Sequence, residues 1–347
     1  MIARIRLQTI ILLGLGLLLL IAFVLSLGLG AVNIAPLDTL TALGHTLGLL
    51  ASQGDSQAII EQIRLPRTLM GLLVGSTLAL TGAVMQGLFR NPLADPSLIG
   101  VSSGAALGAA VVIVLGTWWI AEIPEPLLPY ATVMGAFGGG VITTLLVYRL
   151  GQTDQGTSVA GMLLAGIAIA AISGALIGLL GYLANDRMLR MLTFWNMGSL
   201  GSATYPRVVA LGLCCGLIGW RLPRQARALN ALLLGESEAR HLGIEVERIK
   251  RELILLTALG VGACVAVAGL IGFVGLVVPH LVRLMLGVDH RWVLPGSALL
   301  GASLLLIADV VARLVIAPAE LPIGILTALL GAPFFLILLL RSQRRGW

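Results

Sequence analysis

Lysine occurs once in this chain of 347 residues, at Lys250 between Ile249 and Arg251. A nucleotide-binding P-loop needs a lysine followed by serine or threonine to reach the phosphates, so the sequence holds no such loop. Cysteine is nearly as scarce. Cys214, Cys215 and Cys264 lie inside apolar runs, without Cys-x-x-Cys spacing or neighbouring histidines, which argues for packing and against disulfide or metal chemistry. The histidines, His45, His241, His280 and His290, are scattered, and no cluster of Cys, His or carboxylates marks a catalytic centre. Charged residues make up only 11% of the chain, too few for an ordinary solvated surface.

What fills the sequence instead is apolar: 58% of residues are hydrophobic, the mean hydropathy is +1.02, and apolar runs recur from Thr9 to Leu340. The hydrocarbon core of a bilayer is about 30 Å thick, so a helical crossing needs about 20 apolar residues, and lipid admits only helices or closed barrels. The runs have helix length, which makes this an all-α, polytopic membrane protein. The first run, Thr9 to Val32, follows Arg4 and Arg6 as a signal peptide would. It is longer than a signal's apolar region and lacks a small-residue cleavage site, so it reads as a retained span. Further spans are expected at Thr68 to Phe89, Ser97 to Thr117, Tyr130 to Leu150, Ser158 to Leu183, Pro206 to Arg221, Val293 to Ile316 and Pro322 to Leu340. The run from Leu253 to Val288 would be about 54 Å long as one helix, so it should cross twice, turning within Gly269 to Gly275.

Ten spans put both termini on one side, and the basic residues choose the side. Arg4, Arg6, Arg90, Arg149, Arg221, Arg224, Arg227, Arg240, Arg248, Lys250, Arg251, Arg291, Arg341, Arg344 and Arg345 gather on the inner face, with Arg283 near it. Only Arg64, Arg67, Arg187, Arg190, Arg207 and Arg313 fall outside. The net charge of +6 therefore reports topology, and nucleic acid is not an expected partner. Glycines four apart, as in Gly71 with Gly75, Gly100 with Gly104 and Gly108, Gly135 with Gly139, Gly174 with Gly178 and Gly212 with Gly216, let helix backbones approach closely.

Polar punctuation falls at span ends. In QIRLPR, Gln62 to Arg67, Pro66 should hold Leu65 extended and let the second span begin after it. RNPLADP, Arg90 to Pro96, makes a non-helical turn at the inner end of that span. TFWNMGSLG, Thr193 to Gly201, with Asn185, Asp186, Arg187 and Arg190 before it, reads as a short outer helix. The one long polar stretch with helical character is LNALLLGESEARHLGIEVERIKRE, Leu229 to Glu252. Gly235 can close a first short helix there, Glu236 or Ser237 can cap a second, Gly243 can end it, and Glu236 and Arg240 sit four apart on one face. Asp309, four residues before Arg313, is placed to pair with it. That pairing weakens the chief rival reading, a proton-coupled secondary transporter, which wants a free carboxylate in the membrane.

The set RLPR, RNPLADPSLIGVSSGA, LNALLLGESEARHLG, GFVGLVVPHLVR, ADVVAR and ELPIGILTALLGAPFF, in that order and spacing, resembles the FecCD-type permease family of ABC importers for cobalamin, haem and ferric siderophores. The resemblance runs from about Arg64 to Leu340. It implies the type II importer fold, a single permease domain over residues 1–347 in a bacterial inner membrane, with coupling helices at 229–243 between spans six and seven. It also implies a homodimer, two ATP-binding cassette subunits that hold ATP and Mg, and a periplasmic substrate-binding protein. The permease itself carries no cofactor and no enzymatic activity. Carried over by motif, Arg64, Arg67 and Arg313 would meet the binding protein. Leu234, Gly235, Glu236, Ala239, Arg240, Leu242 and Gly243 would meet the ATPase. Asn91, Leu93, Thr157 and Ser158 would form the cytoplasmic gate. Arg187, Arg190 and Trp195 would form the outer lip of the pathway. The segment Asp186 to Gly201 resembles the haem branch more than the cobalamin branch.

Overall fold

The computed structural model describes residues 2–30, 32, 34–35, 38–39, 41, 44–45, 55–118, 123–154 and 156–343. Among the described residues run the helices α1 Ile2–Gly28, α2 Asp55–Ile59, α3 Leu65–Leu88, α4 Val101–Leu115, α5 Ala131–Leu150, α6 Val159–Leu183 and α7 Asp186–Met197. They continue with α8 Tyr205–Arg221, α9 Ala226–Leu234, α10 Glu236–His241, α11 Val246–Ala268, α12 Val274–Leu286, α13 His290–Leu314 and α14 Ile323–Gln343. A hairpin of two short antiparallel strands, β1 Gln152–Thr153 and β2 Gly156–Thr157, joins α5 to α6. Among the described residues six helical stretches are long and apolar enough to cross a membrane: Ile5–Gly28, Gln57–Leu88, Glu125–Leu150, Val159–Leu183, Val246–Ala268 and His290–Leu314. α4, α12 and the Ile323–Ile337 part of α14 are apolar but shorter.

Every expected span falls on a helix, and the departures are local. α1 stops at Gly28 rather than at Val32. The break expected before Pro66 is absent: Leu65 has helical φ and ψ of −65° and −47°, and the chain winds from α2 through a π turn, Ile60–Arg64, straight into α3. Proline lacks an N–H and its ring crowds the carbonyl four residues back. That carbonyl belongs to Gln62, inside the wider π turn, which absorbs the mismatch. The Leu253 to Val288 run does break in its glycines, but not as a tight turn. α12 has 13 residues and reaches about 20 Å, short of the bilayer core, and it follows the non-helical Gly269–Phe273. At its start the Ser199 N–H donates to the Ala268 carbonyl at 2.8 Å; past its end Gln86 Nε2 donates to the Gly275 and Leu276 carbonyls.

Glycine decides which helices form the centre. A methyl on Gly75 would come within 2.4 Å of the Gly301 carbonyl oxygen, so α3 and α13 touch backbone to backbone. α4 and α5 do the same where Gly104 meets Gly139 and Gly108 meets Gly135. The apolar windows of α3, α11 and α13 are 78%, 72% and 67% buried, against 17% for α6. α6 is therefore peripheral, and its Gly174 and Gly178 have nothing within 4 Å.

The two ends of the bundle differ in what they hold. At one, Gln8 Nε2 near the start of α1 donates to the Leu286 carbonyl at the end of α12. There too Asn230 of α9 bonds Asp289 at 2.6 Å and the His290 ring at 2.8 Å. The polar stretch thus lies at the end where α1 begins, as the span count requires. At the other end sit the close of α1, the starts of α3 and α8, and the close of α13.

Candidate functional site

The polar stretch folds as a bracket of two short helices. Ala226, Leu229 and Leu232 turn the inner face of α9 into the core, and Gly235 then breaks the helix at φ +126°, a region side chains disfavour. The expected cap from Glu236 or Ser237 is not made. Gly235 itself holds the cap position, and the Glu236 carboxylate instead reaches Lys250 Nζ at 2.6 Å and Arg240 at 3.9 Å. Gly243, at φ +80°, closes α10: its N–H donates to the Arg240 carbonyl, and the Ile244 N–H to the Ala239 carbonyl. Ala239 is fully buried, while Leu234 and Leu242 are 68% and 63% exposed at the rim of the bracket. Apolar side chains held outward on a rigid polar element suit a partner surface.

Beside the bracket lies the β1–β2 hairpin. Thr157 is buried: its N–H donates to Glu247 Oε2 at 2.8 Å and its carbonyl accepts from Lys250 Nζ at 3.0 Å. Ser158 caps α6 by accepting from the Gly161 N–H. Asn91 folds its own turn, accepting from the Leu93 N–H at 2.9 Å, and Leu93 is exposed. The residues expected at a gate thus fall on two non-helical turns, each at the start or close of a span.

At the opposite end the arginines are not where an exposed docking patch would put them. Arg64, Arg67 and Arg313 are 5%, 8% and 6% exposed, with their donors satisfied inside the chain. Arg67 clasps Asp309 at 2.9 Å and Glu320 at 2.8 Å. Arg313 pairs with Asp309 at 3.0 Å and donates to the Leu29 and Ser26 carbonyls. Arg64 donates to the carbonyls of Leu27, Gly28 and Val32. The carbonyls freed where α1 ends need donors, and long guanidinium stems reach them from the helices alongside. Asp309, 1% exposed, is held between two guanidiniums, so it is not itself a free carboxylate.

The same end carries a cleft of about 530 Å³. Asn185 caps α7 by accepting from the Met188 N–H, and the helix sets Arg187, Arg190, Phe194 and Trp195 along the wall. Arg187 and Arg190 are exposed and have no hydrogen bond or ion pair among the described residues. Arg207, to which the sequence assigns no role, joins them from α8, braced by bonds to the Ser202 and Pro129 carbonyls and lying over the Tyr130 ring. Ile113, Val133 and Ala266 to Ala268 give the remaining wall an apolar stretch, and Thr132, Ser199 and Ser202 add hydroxyls to it.

Residues 18–341 match the FecCD transport family, a span that contains the bracket, hairpin, arginine network and cleft. The chain belongs to the FecCD transport family. It is 46% identical over 346 residues to the hemin transport system permease protein HmuU of Yersinia pestis, covering 98% of this chain and 99% of that one. It is 44% identical over 341 residues to the vitamin B12 import system permease protein BtuC of Salmonella typhi, covering 96% and 95%. A solved structure of a metal-chelate type ABC transporter in an inward-facing conformation superposes with a TM-score of 0.82 at 35% identity, over 95% of this chain and 99% of that one.

As a FecCD permease the chain is a transport component, and its relatives are permeases rather than ATPases. Two features of these sites escape the sequence. Arg207 lies twenty residues from Arg187 on a separate helix, and only the fold brings them to one cleft. Lys250 counts in the sequence only as a basic residue of the inner face. Its signal is uniqueness: a single lysine among many arginines, placed where a helix enters the apolar interior.

Proposed function

We propose that this chain is the membrane-spanning subunit of a bacterial haem importer, driven by partner ATPases and fed by a periplasmic binding protein. It crosses the membrane ten times with both termini in the cytoplasm, and two copies frame one pathway. The observation that carries the haem reading is the cleft. Haem presents two anionic propionates on a broad apolar ring, and the cleft offers Arg187 and Arg190 unpaired above an apolar, aromatic wall with Phe194 and Trp195. The hemin permease relative supports the same reading, and the vitamin B12 relatives keep a corrinoid as the competing cargo.

In this reading the bracket, Leu234 to Gly243, sits in the ATPase. Its movement separates the inner turns at Asn91, Leu93, Thr157 and Ser158, and rigid-body displacement opens the cytoplasmic side. The binding protein docks at the cleft end. There the buried Arg64, Arg67 and Arg313 shape the docking surface by holding the ends of α1, α3 and α13, rather than by offering bare charge.

Proteoliposomes containing the permease, its ATPase and its binding protein test this. ATP-dependent uptake of hemin is expected, indifferent to an imposed pH gradient. Arg187→Glu with Arg190→Glu should slow hemin uptake about tenfold, since two solvent-facing ion pairs contribute about 0.5–1 kcal/mol each. Uptake of cobalamin but not hemin would overturn the haem assignment and leave the importer reading standing.

A further inference from the structure

We infer that Lys250 is the positioning residue that links the ATPase-facing bracket to the inner gate. This rests on the roles proposed above for the bracket and the hairpin.

The lysine is 2% exposed, in the second turn of α11. An ammonium has three donors, and here each has an acceptor on a different element: Glu236 Oε1 of α10 at 2.6 Å, Glu247 Oε1 of α11 at 3.2 Å and the Thr157 carbonyl of β2 at 3.0 Å. Glu247 closes the ring, because its other oxygen accepts the Thr157 N–H at 2.8 Å. The last residue of the hairpin is therefore held at both its N–H and its carbonyl by side chains of α11. The same ammonium that holds it also holds the first residue of α10.

The site is built for this closeness. Gly156 sits at φ +114°, and a methyl there would lie 2.7 Å from Glu247 Oε1. Among the described residues no other hydrogen bond or ion pair joins the hairpin to the bracket. α6, which the hairpin leads into, is the least buried of the six long apolar stretches.

The arms are unequal. The Glu236 contact, at 2.6 Å, is the shortest of the three, Glu247 stands at 3.2 Å, and both carboxylates are partly exposed, at 32% and 43%. A displacement of α10 then pulls on the hairpin through one short charged contact. A compact ammonium gathers its three donors at one point on a flexible stem, where an arginine would spread five over a rigid planar fork.

The complete complex in proteoliposomes tests this with Lys250→Met and with the milder Glu236→Gln, which keeps the side chain's shape. Substrate moved per ATP hydrolysed should fall about tenfold for Lys250→Met and less for Glu236→Gln. A spin label at Gln152→Cys, read between the two copies, should shift with nucleotide in the parent and lose that shift in Lys250→Met. An unaltered transport ratio, or a label that still follows nucleotide in both variants, overturns the link and leaves the gate assignment intact. A parent label that never responds to nucleotide overturns the gate assignment, and the link with it.

Discussion

At one end of this permease Asp309 lies between Arg67 and Arg313 and ties α3 to α13. At the other, Lys250 lies between Glu236, Glu247 and Thr157 and ties a bracket and a hairpin to α11. Both are buried ions with full hydrogen bonding. What differs is the packing around them. α3 and α13 already meet backbone to backbone at Gly75 and Gly301, so the arginine network joins parts that cannot separate. The hairpin has no such seam with the bracket. Identical chemistry acts as a rivet where the packing is dense and as a tether where it is sparse.

The sharpest way to break that contrast is Asp309→Ala. It leaves Arg67 and Arg313 buried without their shared counter-ion, and removing one partner of a buried pair costs about 3–5 kcal/mol. The detergent-solubilised variant should lose much of its thermal stability, seen as a large drop in melting temperature or a failure to purify as a folded species. A melting temperature close to the parent's would mean that the outer network is no rivet.

Packing gives the next largest effect, and it carries its own control. Gly75→Ala forces a methyl to within 2.4 Å of the Gly301 carbonyl and should cost about 1–3 kcal/mol as α3 and α13 are pushed apart. Gly178→Ala, on the open side of α6, meets nothing within 4 Å and should leave the melting temperature of the single chain level or slightly raised. If Gly178→Ala is the more damaging in the assembled complex, then α6 finds its close neighbour in another chain.

How far the sequence could foresee this arrangement depended on the range of the physics involved. The span positions were legible because a bilayer demands a certain length of apolar helix. The break after Ala268 was legible because one helix of that length would overshoot. The bracket was legible at Gly235 and Gly243, where the chain needs positive φ, but its cap was not: whether Glu236 turns to its own helix or to Lys250 depends on a neighbour fourteen residues on. Hydropathy places an arginine near a membrane end without telling whether its head meets water or the carbonyls of another helix. For that reason Arg64, Arg67 and Arg313 looked exposed and are not. The helix through Pro66 was hidden because a π turn has no sequence signature of its own.

The smallest expected effect lies within the outer network itself. Glu320 bonds Arg67 through both oxygens, as Asp309 does through its own pair, yet the Glu320 side chain is 50% exposed where that of Asp309 is 1% exposed. In water the attraction is screened and the carboxylate can be replaced by solvent, so Glu320→Gln should cost no more than about 1 kcal/mol, and less as salt is raised. Arg67 keeps Asp309 in that variant, so its guanidinium is never left unpaired. Melting curves at low and high ionic strength separate the two carboxylates. A salt-dependent shift for Glu320→Gln beside a salt-independent one for Asp309→Ala places the rivet on the buried residue alone, whereas equal losses would spread it over both.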